Sequence, residues 1–228
     1  MTLLDHLKPA FRAVIVNWKP MLLIQVGAVA LVLIYYQSTS LQTWCATLGA
    51  YKERGGLPFA AIAGAIAGGI VPEVAKFVTN NKSKPQNWRE VACVAAYFAC
   101  MGLSVDVMYN GMGHLYGGDH HVVTVLKKTA TDMGLFCPIA AVTSTVLVFT
   151  WKDNGFSWPA TKIALRNGGF LDRYVKVLLP NWMMWIPVIS AIYSLPVNLQ
   201  FLTAQLAEAA WSLLVVHISQ GENAKVTK

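Results

Sequence analysis

Long apolar stretches alternate with short polar connections along this chain, and most of the stretches are far too long for strands. Residues 21–36 are apolar apart from Gln25 and close on Tyr35 and Tyr36, a pair suited to a membrane–water interface. Residues 57–78 form the second stretch, with Pro58 near its first turn and Pro72 towards its end, which predicts a kink there. Residues 91–113 carry Asp106, and residues 133–151 contain Pro138. Residues 182–193 are short and contain Pro187, so this fifth stretch either spans or re-enters. Pro196 marks a turn before the last stretch, 198–218, which holds Gln205, Glu208 and Trp211. Since a membrane span takes about 20 residues, the pattern predicts an all-α, multi-pass transmembrane bundle of about six segments.

Composition strengthens this reading. The chain is 55% hydrophobic and 13% charged, against about 25% charged in soluble domains. The net charge is +7, but the basic residues lie scattered between apolar stretches, which argues against a nucleic-acid surface. Sidedness explains the excess better. With six crossings, thirteen Lys and Arg fall on one side, including Lys8, Arg12, Lys82, Lys84, Lys225 and Lys228, and four (Lys52, Arg54, Lys127 and Lys128) on the other. Five crossings give a weaker bias, so both termini are expected on the positive side. Three regions follow: 1–56 with an additional span, 57–220 as the main transmembrane domain, and a polar tail at 221–228. The longest polar connection, 152–180, has room for a short interfacial helix. Cys45, Cys93, Cys100 and Cys137 have no metal spacing and read as small apolar residues.

Few residues offer chemistry. Glu208 lies deep in the last stretch, with Gln205 one turn earlier, and the two are the leading candidates for a polar pathway. Asp106 reads either as a pathway residue or as a carboxylate near an interface. Glu73 and Lys76 can pair on one helix face, as a structural pair or as the lining of a pathway mouth. Gly64 and Gly68 belong to a small-residue stripe that allows close helix packing, within the chain or between copies. The histidines His114, His120 and His121 lack a spacing that fixes three metal ligands. Without a catalytic or nucleotide-binding motif in suitable context, no enzyme activity, cofactor or metal is expected. A membrane enzyme using Asp106 or the His-rich loop is the weakest of the three readings, behind a pore and a scaffold.

The second half carries a resemblance. Lys127 and Lys128 precede Asp132, followed by Phe136 and Pro138. Further on come Asn181, Trp182, Trp185 and Pro187, then Pro196, with Trp211 fifteen residues after it. This resembles the peroxisomal-membrane-protein / Mpv-seventeen family of small organellar membrane proteins, most specifically from Gly102 to Ile218. Several family positions differ: Met133 stands where Gln is usual, Gln200 for Arg, Ser212 for Asn, and Asp106 for His. The resemblance implies a divergent member with weakly selective channel behaviour, passing small solutes or ions in metabolite or redox homeostasis. It implies a mitochondrial inner or peroxisomal membrane in a eukaryote; in a bacterium the cytoplasmic membrane takes that place. The matched residues also read physically. Asp132 just ahead of the fourth stretch suits a helix N-terminal cap. Pro138 frees carbonyls that need partners inside protein. Trp182 and Trp185 share a face suited to an interface belt. The expected partners are the lipid bilayer, small solutes or ions, and a second copy of the chain. The alternative function is a non-catalytic scaffold that associates through Gly64 and Gly68.

Overall fold

A computed structural model describes residues 3–78 and 87–226. Lys82, Lys84 and Lys228 lie outside the described residues, as do the side chains of Lys8, Arg12 and Lys225. Among the described residues the chain forms seven helices. They are α1 (Leu3–Gln37), α2 (Thr39–Val78), α3 (Trp88–Tyr116), α4 (Val122–Asp153), α5 (Trp158–Leu165), α6 (Gly169–Tyr193) and α7 (Val197–Val226). Five of them (α1 from Trp18, α2, α3, α4 and α6) are long and apolar enough to cross a membrane. The protein is therefore a multi-pass helical bundle with the character of an integral membrane protein. The sixth expected crossing lies in α7, which has 30 residues and packs against α1, α2, α3 and α6.

Local chemistry sets the boundaries. The Ser38 hydroxyl caps α2 by accepting from the Leu41 N–H at 3.2 Å, and the Asn87 side chain caps α3 through the Arg89 N–H at 3.3 Å. α2 is kinked at Gly56, whose φ of 51° lies in the region that glycine occupies without Cβ strain. The stretch from Leu57 onward is the predicted second span. The helical segment before the kink, counted as part of a connection from sequence, extends the bundle and carries Lys52. The short helix foreseen in the 152–180 connection is α5, capped by Ser157 and followed by Gly168 at φ 85°.

Of the two readings of the fifth stretch, the spanning one fits, and its length is corrected. Residues 182–193 are neither short nor re-entrant but the second half of α6, a continuous helix of 25 residues. Its first half was hidden by Asp172 and Lys176, which pair at 2.6 Å, and by Pro180 within the helix. An α-helical N–H bonds the carbonyl four residues back, so Pro187 leaves the Met183 carbonyl without its helical donor. Gln25 of α1 donates to that carbonyl at 2.7 Å. The single polar residue of the first apolar stretch thus satisfies a proline break in its neighbour, and α1 packs along α6.

Contacts at the helix ends sort into two layers. At one end the Tyr36 hydroxyl donates to the Ser194 carbonyl at 2.5 Å, the Tyr36 and His120 rings lie 5.7 Å apart, and Gly49 sits against Asn198. At the other end Lys152 approaches Glu90 at 3.9 Å. Successive long helices from α2 onward alternate in direction between these layers.

Candidate functional site

A cavity of about 250 Å³ lies between α3, α4, α6 and α7. Its α4 wall does not stay α-helical. Asp132–Val142 is a π-helical stretch with Pro138 inside it, and such wide turns frequently mark functional sites. In a π-helix an N–H bonds five residues back, so Pro138 leaves the Met133 carbonyl free, and Trp182 Nε1 donates to it at 2.8 Å. The hydroxyls of Thr143, Ser144 and Thr145 donate to the carbonyls of Pro138, Ala140 and Ala141 at 2.9, 2.6 and 2.7 Å. The expectation that Pro138 would free carbonyls needing partners inside the protein matches this arrangement.

Two carboxylates line the cavity, Asp132 from α4 and Glu208 from α7, together with Gln205 and Asn181. Asp132 is 2% exposed and accepts from the Tyr193 hydroxyl at 2.9 Å. The Tyr193 ring in turn meets Tyr109 edge-on at 5.3 Å. Lys128, one turn before Asp132, is fully buried. Its ammonium finds no hydrogen-bond partner among the described residues and lies 5.8 Å from the Tyr193 ring centroid, a cation–π arrangement. Glu208 accepts from the Ser212 hydroxyl at 3.4 Å. The Tyr97 hydroxyl sits 2.7 Å from Thr145 Oγ1 on the opposite wall. Among the described residues, no Lys, Arg or His lines the cavity.

Residues read separately from the sequence meet here: Glu208, Gln205, Asp132, Phe136, Trp185 and Trp211 all line this one space. Other expectations change. Asp132 is no N-terminal cap, because α4 begins at Val122 and the carboxylate lies well inside it. Trp182 and Trp185 do not form an interface belt; Trp182 bonds Met133 and Trp185 faces the cavity. Asp106 is absent from the lining. It turns to the far side of α3 and pairs with Lys52 of α2 at 2.5 Å, both side chains being almost wholly buried. Glu73 and Lys76 pair at 2.7 Å as expected, likewise away from the cavity. Gly64 and Gly68 face α3 of the same chain. A Cβ on Gly64 would strike the Phe98 carbonyl, and one on Gly68 would strike the Phe98 ring. The stripe is consumed by intramolecular packing, so it is not free to join two copies.

Sequence reasoning did not place Tyr97, Tyr109 or Asn181 at the cavity, or Tyr193 and Lys128 beside Asp132. Tyrosines within apolar helices pass as bulk, and only the helix packing brings Tyr97 and Tyr109 to the cavity and Tyr193 to Asp132. Lys128 was counted as an end-layer charge, although its four-residue offset from Asp132 was a usable signal that both face inward. In the loop between α3 and α4, the Asp119 carboxylate is held below its usual range by the Thr124 hydroxyl and then by the His121 N–H, a local turn arrangement. No family model, curated protein or solved structure matches the chain.

Proposed function

We propose that the protein is a small channel-like membrane protein whose polar pathway passes through the cavity between α3, α4, α6 and α7. One observation carries this reading: a bundle of apolar helices brings two carboxylates, Asp132 and Glu208, to a shared space with no basic residue in its wall among the described residues. Buried charge of one sign is expensive, and inside membrane helices it commonly marks a route for solutes of the other sign. The pathway then favours cations and discriminates weakly among them, since its wall offers few fixed oxygens. The family resemblance supports the same reading, because Asp132, Phe136, Trp185 and Trp211 of its motifs line the cavity. It extends the proposal to metabolite or redox homeostasis and to the membranes named for that family.

Purified, folded protein reconstituted in planar bilayers is expected to conduct. In asymmetric potassium chloride, Glu208→Gln should shift the reversal potential towards the anion side. Silence at every voltage, in protein shown to be helical and monodisperse, overturns the proposal. An unchanged reversal potential removes Glu208 from the pathway. No geometric observation favours the scaffold alternative, since Gly64 and Gly68 are already occupied by α3.

A further inference from the structure

The geometry points to a small organic cation, an alkylammonium or quaternary ammonium, as the ligand of the cavity. This deepens the channel reading by naming its solute class, and it rests on that reading for its transport role but not for binding.

Three features converge on this class. First, among the described residues the wall contains Asp132 and Glu208 and no Lys, Arg or His, so the matching charge is positive. Lys128 does not supply it, because its ammonium is turned to the Tyr193 ring outside the lining. Second, the rest of the wall suits an organic cation better than a metal ion. Tyr97, Tyr109, Phe136, Trp185 and Trp211 are among its aromatic residues, and desolvated cation–π contacts favour a charged over a neutral head by about tenfold or more. Calcium takes about 6–8 oxygen ligands and magnesium a near-octahedral set, which this mainly apolar wall lacks. Among the described residues no group of three or more His, Cys, Asp or Glu side chains gathers to hold a metal. Third, the volume of about 250 Å³ falls below the ~300–1,000 Å³ of drug-sized pockets. The ligand is therefore compact, with a charged head and few further atoms. Gln205 and Asn181 can hydrogen-bond a hydroxyl or N–H on such a molecule.

The test is equilibrium binding to the full-length protein in nanodiscs, read by intrinsic tryptophan fluorescence, since Trp185 and Trp211 stand in the wall. Choline is compared with 3,3-dimethylbutan-1-ol, which replaces the cationic nitrogen by carbon at the same shape. Choline should bind saturably and at least about tenfold more tightly than the neutral isostere, as the cation–π magnitude requires. Glu208→Gln should weaken choline about tenfold or more and leave the isostere unchanged. Should that variant fail to fold, Gln205→Glu adds a third carboxylate to the wall and should tighten choline instead. Equal binding of the two probes, no binding of either to folded protein, or displacement of choline by equimolar potassium overturns the inference. Conductance without choline binding sinks the ligand class and leaves the pathway standing. Choline binding without conductance does the opposite.

Discussion

Lys52 and Asp106 show how one contact changes the meaning of a residue. A carboxylate within an apolar stretch reads as a functional group until its partner is seen. Here the Lys52 ammonium lies 2.5 Å from Asp106 Oδ1 and 5.7 Å from the Phe201 ring centroid, with Asn110 Nδ2 3.4 Å from the same carboxylate oxygen. Removing one member of a buried pair strands the other charge, at a cost of about 3–5 kcal/mol, whereas replacing both by apolar residues is often nearly neutral. Asp106→Asn is therefore expected to lower unfolding stability strongly, and Lys52→Met with Asp106→Leu to recover most of the loss, in denaturant titrations of the purified protein. Ion selectivity in the double variant should match the parent. A selectivity change there would return Asp106 to the pathway.

At the scale of elements, the α2–α3 contact and the π-helical stretch of α4 place the walls of the cavity. α2 and α3 approach backbone to backbone: a Cβ on Gly102 would meet the Ala60 carbonyl and lie 3.1 Å from Gly64 Cα. Backbone cannot swing aside as a side chain can, so the overpacking cost of Gly102→Leu should reach about 3 kcal/mol. The expected result is a clear fall in the thermal midpoint measured by circular dichroism in detergent. Gly27→Leu is the matched control, because nothing lies within 4 Å of its Cβ position, and it should melt near the parent. Had the stripe been an interface between copies, Gly64→Leu would change the oligomeric state and spare the melt. The close approach to α3 argues for the reverse outcome.

For the whole molecule, the alternation of helix direction brings the α1–α2 turn, the α3–α4 loop and the α6–α7 turn to one end, with Tyr36, His120 and Ser194 in contact there. Glu90 and Lys152 meet at the other end. In a cysteine-free background, His120→Cys and Asp153→Cys are expected to react with a membrane-impermeant maleimide from opposite faces of sealed vesicles. Labelling of both from the same face would refute a bundle that crosses in this alternating sense. Of the four basic residues read as the sparsely charged side, Lys52 and Lys128 are buried inside the bundle, so that end carries still less exposed charge than the count along the chain implied.

The apolar stretches and the membrane character were legible along the chain, because lipid imposes one helical solution on any long apolar run, although five helices rather than the expected six are long and apolar enough to cross. The proline breaks at Pro138 and Pro187 were legible because each acts on its own backbone, whereas the kink at Gly56 and the caps at Ser38 and Asn87 were not read. What a polar side chain does was not legible, since it depends on its angle around the helix and on the neighbour that angle meets. Glu208, Gln205 and Asp132 lie on two different helices and share a cavity only because α3, α4, α6 and α7 converge around them. Asp106, Lys52 and Lys128 carry equally conspicuous charges, yet tertiary packing turns them to partners outside that space. The alternation of apolar and polar stretches thus determined a helical membrane bundle, and packing alone decided which of its charges face a common cavity and which only hold helices together.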